Sequence, residues 1–142
     1  MIKDVIIDIK GVQGLDNDTD TIEFTTDGRY GYKENEFFIS YDEGQLFDNN
    51  AQVKTKIFIK SDNSVLLERS GALKSKMLIE KGKRNSCFYS TAAGDLVIGI
   101  FGEVLNYNLN ANGGEIELKY TIDSDLRVIS HNSVNISIRG VN

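Results

Sequence analysis

A two-residue hydrophobic period runs through most of this chain and constrains its fold more than any other feature. It is seen at Val5/Ile7/Ile9, Phe37/Ile39/Tyr41, Val53/Thr55/Ile57/Ile59, Val65/Leu67, Leu73/Met77/Ile79, Ile116/Leu118/Tyr120/Ile122 and Val134/Ile136/Ile138. Successive side chains of a strand point to opposite faces, so this alternation marks strands buried on one side. Turn signals separate the runs: Asp27-Gly28, Glu34-Asn35, Ser61-Asp62-Asn63, Gly71, Lys81-Gly82-Lys83, Gly94-Asp95, Asn112-Gly113-Gly114 and Asp123-Ser124-Asp125. The chain has no proline, so Gly, Asn and Asp must make its turns. The spacing predicts an antiparallel meander. The one helical exception is a short turn around Asp42 to Asn50.

Eight to ten strands on 142 residues form either a sandwich or a barrel. Two features favour a barrel. The connections are tight, as in an up-and-down order, and the first and last strands both alternate cleanly, so they can pair and remove the exposed edges. The expectation is a single all-β domain over residues 1–142, an antiparallel up-and-down barrel. A chain of this length buries roughly 70% of the surface its unfolded form exposes, and needs no staple.

Composition narrows the function. The lone cysteine, Cys87, excludes an intramolecular disulfide and zinc-finger spacing. The start, "MIKDVIIDIK", places Asp4 and Asp8 among its apolar residues and does not read as a signal peptide. The longest apolar run, Leu96 to Phe101, is far shorter than the ~20 residues of a membrane helix. These features predict a soluble cytoplasmic protein with no membrane partner. "DNDTD" (Asp16 to Asp20) resembles the start of a calcium loop, but Thr21 stands where the loop requires glycine. His131 is expected on the outside, and Cys87 inside as a small apolar group. No phosphate-binding loop, dinucleotide fingerprint or nucleophile elbow is present. The reading is a non-enzyme without metal or cofactor.

The stretch "SVLLERSGAL", Ser64 to Leu73, carries the sharpest question. With Val65 and Leu67 inward, Arg69 shares their face. Phe37, Ile39 and Tyr41 define another inward face, which Glu43 joins two residues further on. A buried arginine needs a partner, and a carboxylate is its natural mate. Thr55, Tyr89, Thr91 and Tyr120 share the inward phase and add hydroxyls. One reading is a polar anchor for the head of a small amphiphilic ligand. The other is a structural Glu43–Arg69 pair plugging a filled barrel.

Several short motifs carry a resemblance: "YDEG" (Tyr41 to Gly44), "ERSG" (Glu68 to Gly71), "EKG" (Glu80 to Gly82), "YSTAAGDL" (Tyr89 to Leu96) and "LKYTI" (Leu118 to Ile122). Together they resemble the small bacterial YwiB-like proteins, a domain family of unknown function, over essentially the full chain. The resemblance implies a calycin-like, lipocalin-type β-barrel. Tyr41, Glu43, Arg69, Gly71, Tyr89, Thr91, Gly94 and Tyr120 match the family pattern. Leu78-Ile79 departs from it where an aromatic residue is usual.

Charge is unevenly spread. From Lys54 to Arg84 there are nine basic residues against three acidic ones, while the remainder holds seven against eighteen. Lys54, Lys56, Phe58 and Lys60 share an outward phase, as do Lys74 and Lys76. Such a face suits a homodimer contact or an acidic protein partner, unless it is merely solvated. The acidic remainder and the lack of an aromatic platform argue against nucleic acid.

Overall fold

The computed structural model describes residues 2–15, 18–42, 53–71, 74–91 and 94–141, with the backbone alone for 89–91. Ten strands follow in order: β1 (Ile2–Leu15), β2 (Asp18–Lys33), β3 (Glu36–Asp42), β4 (Val53–Ile59), β5 (Ser64–Gly71), β6 (Lys74–Glu80), β7 (Arg84–Thr91), β8 (Gly94–Asn110), β9 (Gly113–Ser124) and β10 (Arg127–Gly140). Each strand pairs antiparallel with its neighbours in sequence. The ring closes where β1 meets β10, from Val5 opposite Gly140 to Gly14 opposite His131. Closure pairs the edges that an open sheet would leave exposed. The described residues contain no helix. The expected turn around Asp42 to Asn50 lies, beyond Asp42, outside them.

The period-two pattern decides what is inside. Val5, Ile7, Ile9, Ile39, Ile57, Ile59, Val65, Leu67, Met77, Ile79, Ile116, Leu118, Ile136 and Ile138 are buried in one core, as their phase predicts. The pairing places them in layers, such as Ile39, Ile57, Leu67 and Met77 across β3 to β6. At one end the core is closed by aromatic rings. The fully buried Tyr30 donates its hydroxyl to the Asn110 carbonyl (2.7 Å), and Phe37 packs against Tyr30, Tyr32 and Tyr107. Burial pushes the Tyr30 pKa up to about 12.

One expected turn is corrected. Asp27-Gly28 is the middle of β2, not a break between strands. Gly28 is there for close approach: a Cβ would lie 2.3 Å from Ile7 Cδ1 and 2.6 Å from the Ser40 carbonyl oxygen. The turn after β9 also falls later than the Asp123-Ser124-Asp125 signal, at Asp125 and Leu126, both with positive φ. Two bulges, at Glu103 and Ile129, shift the β8–β9 and β9–β10 registers.

The β6–β7 ladder is short, pairing Lys74 with Ser90 and Ser75 with Tyr89. Beyond it the connecting turn bonds to β8 instead: Gly82 N–H donates to the Gly102 carbonyl (2.8 Å), and Gly102 N–H to the Lys83 carbonyl (3.3 Å). Gly102 permits this, because a Cβ there would lie 2.4 Å from the Glu80 carbonyl oxygen. The Asn85 amide spans the separated strands, donating to the Leu78 carbonyl and to Glu80 Oε1, both at 3.2 Å.

Candidate functional site

Arg69 lies on the inner face of β5, as its phase requires, and the register gives it neighbours that phase alone could not. Tyr41 on β3 stands opposite Thr55 on β4, Thr55 opposite Arg69, and Arg69 opposite Ser75 on β6. The Tyr89 backbone on β7 continues the row opposite Ser75. A single polar layer therefore crosses the inner wall next to the apolar layer of Ile39, Ile57, Leu67 and Met77. Tyr41, Thr55 and Ser75 are buried, and Arg69 is half-buried.

This layer sits toward the end of the barrel opposite Tyr30. There a cavity of about 600 Å³ opens, with Arg69 and Met77 on one wall and β8, β9, β10, β1 and β2 forming the other. Ile98, Ile122 and Val134 give that second wall apolar surface, while Tyr120, Ser130 and Asn132 give it polar groups. The Asn132 amide donates to Ser130 Oγ (3.0 Å) and to the Tyr120 carbonyl (3.4 Å), which fixes its orientation. Leu15, Ile22, Leu96 and Ile129 line the mouth and are 38–54% exposed. Exposed large apolar side chains gathered around one opening are unlike isolated surface leucines, which need no explanation.

Of the six residues expected at an interior site, Tyr41, Arg69 and Tyr120 lie on the inner face with described side chains. Glu43 lies outside the described residues, and so does any Glu43–Arg69 pair. Tyr89 and Thr91 are described by backbone alone. Ser75, Ser130 and Asn132 were not anticipated. Ser75 shares the phase of Met77 and Ile79, and that phase was the available signal.

The outer face of β4 to β6 holds the expected lysines, sorted into rows by the register. Phe38, Phe58, Leu66 and Leu78 form one apolar row across β3 to β6. Lys56, Glu68 and Lys76 form the next row, with Glu68 bridged to Lys76 at 3.4 Å. Lys54 and Lys74 lie exposed nearer the mouth, while Lys60 and Phe58 are half-buried. A hollow of about 450 Å³ lies over Lys56, Lys74, Lys76 and Phe88, and Arg69 and Ser75 also line it. His131 is exposed and Cys87 buried, as expected. Burial raises the Cys87 pKa, which makes it a poor nucleophile. Among the described residues no group of acidic, histidine and cysteine side chains is placed to hold a metal ion.

Another concavity, about 790 Å³, lies on the outer faces of β2, β1, β10, β9 and β8. Its register forms two polar rows: Thr25, Asp8, Ser137, Glu115 and Asn108, then Glu23, Lys10, Asn135, Glu117 and Asn106. These groups bond largely to one another. Thr25 and Arg139 donate to Asp8, Ser137 to Glu115, and Asn106 to Glu117. Size alone does not make this hollow the better site, because the interior cavity combines apolar walls with a few inward polar groups.

Comparison with known proteins agrees with this architecture. Residues 7–136 match the family model described as "Domain of unknown function (DUF1934)". A curated relative, the "Uncharacterized beta-barrel protein YwiB" of Bacillus subtilis (strain 168), is 27% identical over 117 residues, covering 82% of this chain and 79% of the relative. The crystal structure of ywiB protein from Bacillus subtilis superposes with a TM-score of 0.86 at 25% identity. That match covers 99% of this chain and 94% of the other.

Proposed function

This chain belongs to the DUF1934 family of domains of unknown function, and from that premise we propose that it is a non-enzymatic binder of a small amphiphilic molecule, held in the mouth of the barrel. The observation that carries this reading is Arg69, a guanidinium on the inner face of a 600 Å³ cavity walled by Met77, Ile98, Ile122 and Val134. Ligand pockets are commonly about 300–1,000 Å³, mainly apolar, with a few polar groups that fix orientation. Burying an apolar tail contributes roughly 25 cal/mol per Å² of surface removed from water. The polar layer then selects and orients the head. In this reading the barrel is calycin-like and works in the cytoplasm, where a lone thiol stays reduced.

Two variants test it. Ile122→Trp fills the cavity, and Arg69→Met removes the guanidinium while retaining an apolar stem. Titration with the fluorescent probe 1-anilinonaphthalene-8-sulfonate is expected to show saturable binding to the parent protein and its loss in both variants, with thermal unfolding still cooperative. Unchanged probe binding in both folded variants would overturn the interior site.

The outer face of β4 to β6 supports a second reading, partner binding. Phe88 is 71% exposed beside Lys76, at the hollow that Lys56 and Lys74 also line. An acidic protein or a second copy of the chain matches its charge.

A further inference from the structure

Resting on the partner-binding reading of the outer face, we propose that the partner is a second copy of this chain: the basic hollow of one barrel docks on the acidic concavity of the next. Setting aside the half-buried Arg69, the hollow is lined by Lys56, Lys74 and Lys76 against Glu68, three bases to one acid and a surplus of two positive charges. The concavity over β2, β1, β10, β9 and β8 is lined by Asp8, Glu23, Glu115 and Glu117 against Lys10. Arg139 bridges Asp8 at 3.2 Å, so four acids face two bases and a surplus of two negative charges remains. Ser137 and Asn106, which donate to Glu115 and Glu117, are neutral and cancel none of it. The complementary face is thus carried by every copy.

Placement on the barrel fixes the kind of assembly. β5 lies within the basic face and β10 at the centre of the acidic one, and they are five strands apart in the ten-strand ring, so the two faces look in opposite directions. A two-fold dimer through the basic face would set lysines against lysines, which like-charge repulsion opposes. A head-to-tail contact matches Lys56 and Lys74 with Glu115 and Glu117 instead. Each copy then keeps one face of either kind for a further copy, and opposed faces add barrels in an open row. The row runs side by side, which leaves the mouths at the barrel ends uncovered.

Apolar surface accompanies the charge. Phe88, 71% exposed at the edge of the hollow, stands opposite Val97 on β8, which is 59% exposed. Lysines that only keep a sheet face solvated gain nothing from two adjoining apolar side chains. A contact between copies does gain, because exposed aromatic side chains are the anchors that interfaces bury, and salt does not screen that burial.

The experiment is sedimentation of the parent protein and of two double variants, Lys56→Gln/Lys74→Gln and Glu115→Gln/Glu117→Gln, with thermal unfolding as the check on folding. Glutamine at 115 and 117 keeps an acceptor oxygen for Ser137 and Asn106. In about 0.05 M salt the mean mass of the parent is expected to rise with concentration past that of a dimer, and in about 0.5 M salt to return to the single chain. Each variant alone associates about tenfold or more weakly, and their equal mixture forms dimers and stops there, because the one intact junction leaves two blunted faces outward. A parent mass that levels off at a dimer, an unchanged mass in either folded variant, or a mixture no heavier than its components each overturns the head-to-tail contact. A parent that stays a single chain at low salt overturns it too, and a labelled poly-glutamate peptide then separates the two readings. Peptide binding that is lost in Lys56→Gln/Lys74→Gln gives the face to a foreign acidic partner, while no binding overturns the partner-binding reading as well. Should one variant not fold, the other and the salt dependence decide.

Discussion

Among the described residues, Arg84 and Asp123 make the best-formed ion pair. Arg84 Nε and Nη2 donate to the two carboxylate oxygens at 2.8 and 2.7 Å, and Asp123 Oδ1 also accepts the Leu126 N–H at 3.1 Å. The pair thus ties the start of β7 to the turn after β9. The hydrogen bonds from Arg84 hold the Asp123 carboxyl below its ordinary value, outweighing the opposing effect of burial. A depressed folded-state pKa contributes stability that is present above the unfolded value, near 4, and lost as pH falls through the folded one. Urea unfolding of the parent should therefore show a midpoint that drops as pH falls from 5 to 2. Asp123→Asn should be less stable at neutral pH and lose less on acidification. Parallel midpoint curves for the two proteins would contradict this role. At this scale the phase of Arg69 was legible, because alternation fixes which face a side chain takes. Its alignment with Thr55 and Ser75 was not, because register depends on pairing partners far apart in sequence. Ser75 is hidden in the sequence, because one serine between Leu73 and Met77 reads as an interruption of an apolar face.

Elements were legible where both faces obeyed the pattern. β4 reads Val53, Thr55, Ile57, Ile59 inward and Lys54, Lys56 outward, and it forms the strand so marked. β2 was less visible. Its inward positions include Thr26 and Gly28, so Asp27-Gly28 resembled a hairpin turn while serving as a close crossing of β1, β2 and β3. Gly28→Ala tests that account. The added methyl meets the Ser40 carbonyl oxygen, which is backbone and cannot rotate away, so the sheet itself must shift. Overpacking of this kind costs typically about 1–3 kcal/mol. Denaturant unfolding should show a loss in that range. A stability unchanged within about 0.5 kcal/mol, the usual spread for surface substitutions, would mean that the approach is looser than described.

On the scale of the whole molecule, closure was legible from two ends that alternate alike, and the ten-strand ring bears it out. Barrel closure leaves open whether the interior is filled or hollow, because that depends on strand tilt, stagger and side-chain volume together. Here the two ends differ. Tyr30, Phe37 and Tyr107 fill one, while the other holds Arg69, Tyr120 and a cavity rimmed by Leu15, Ile22, Leu96 and Ile129. The charge is divided as well, with the basic outer face on β4 to β6 and acidic residues most numerous on β2 and β9. The two proposed roles meet at Arg69, which lines both the interior cavity and the outer hollow.

The measurement that tests the central claim most directly is native mass spectrometry of the protein purified gently from the cells that naturally make it, with an organic extract of the same sample. A hollow binding barrel should show a discrete added mass that is released on denaturation and recovered in the extract as an amphiphile. A spectrum of the bare chain, with nothing recovered, would contradict it, and a dimer in that spectrum would shift the weight of function to the basic outer face.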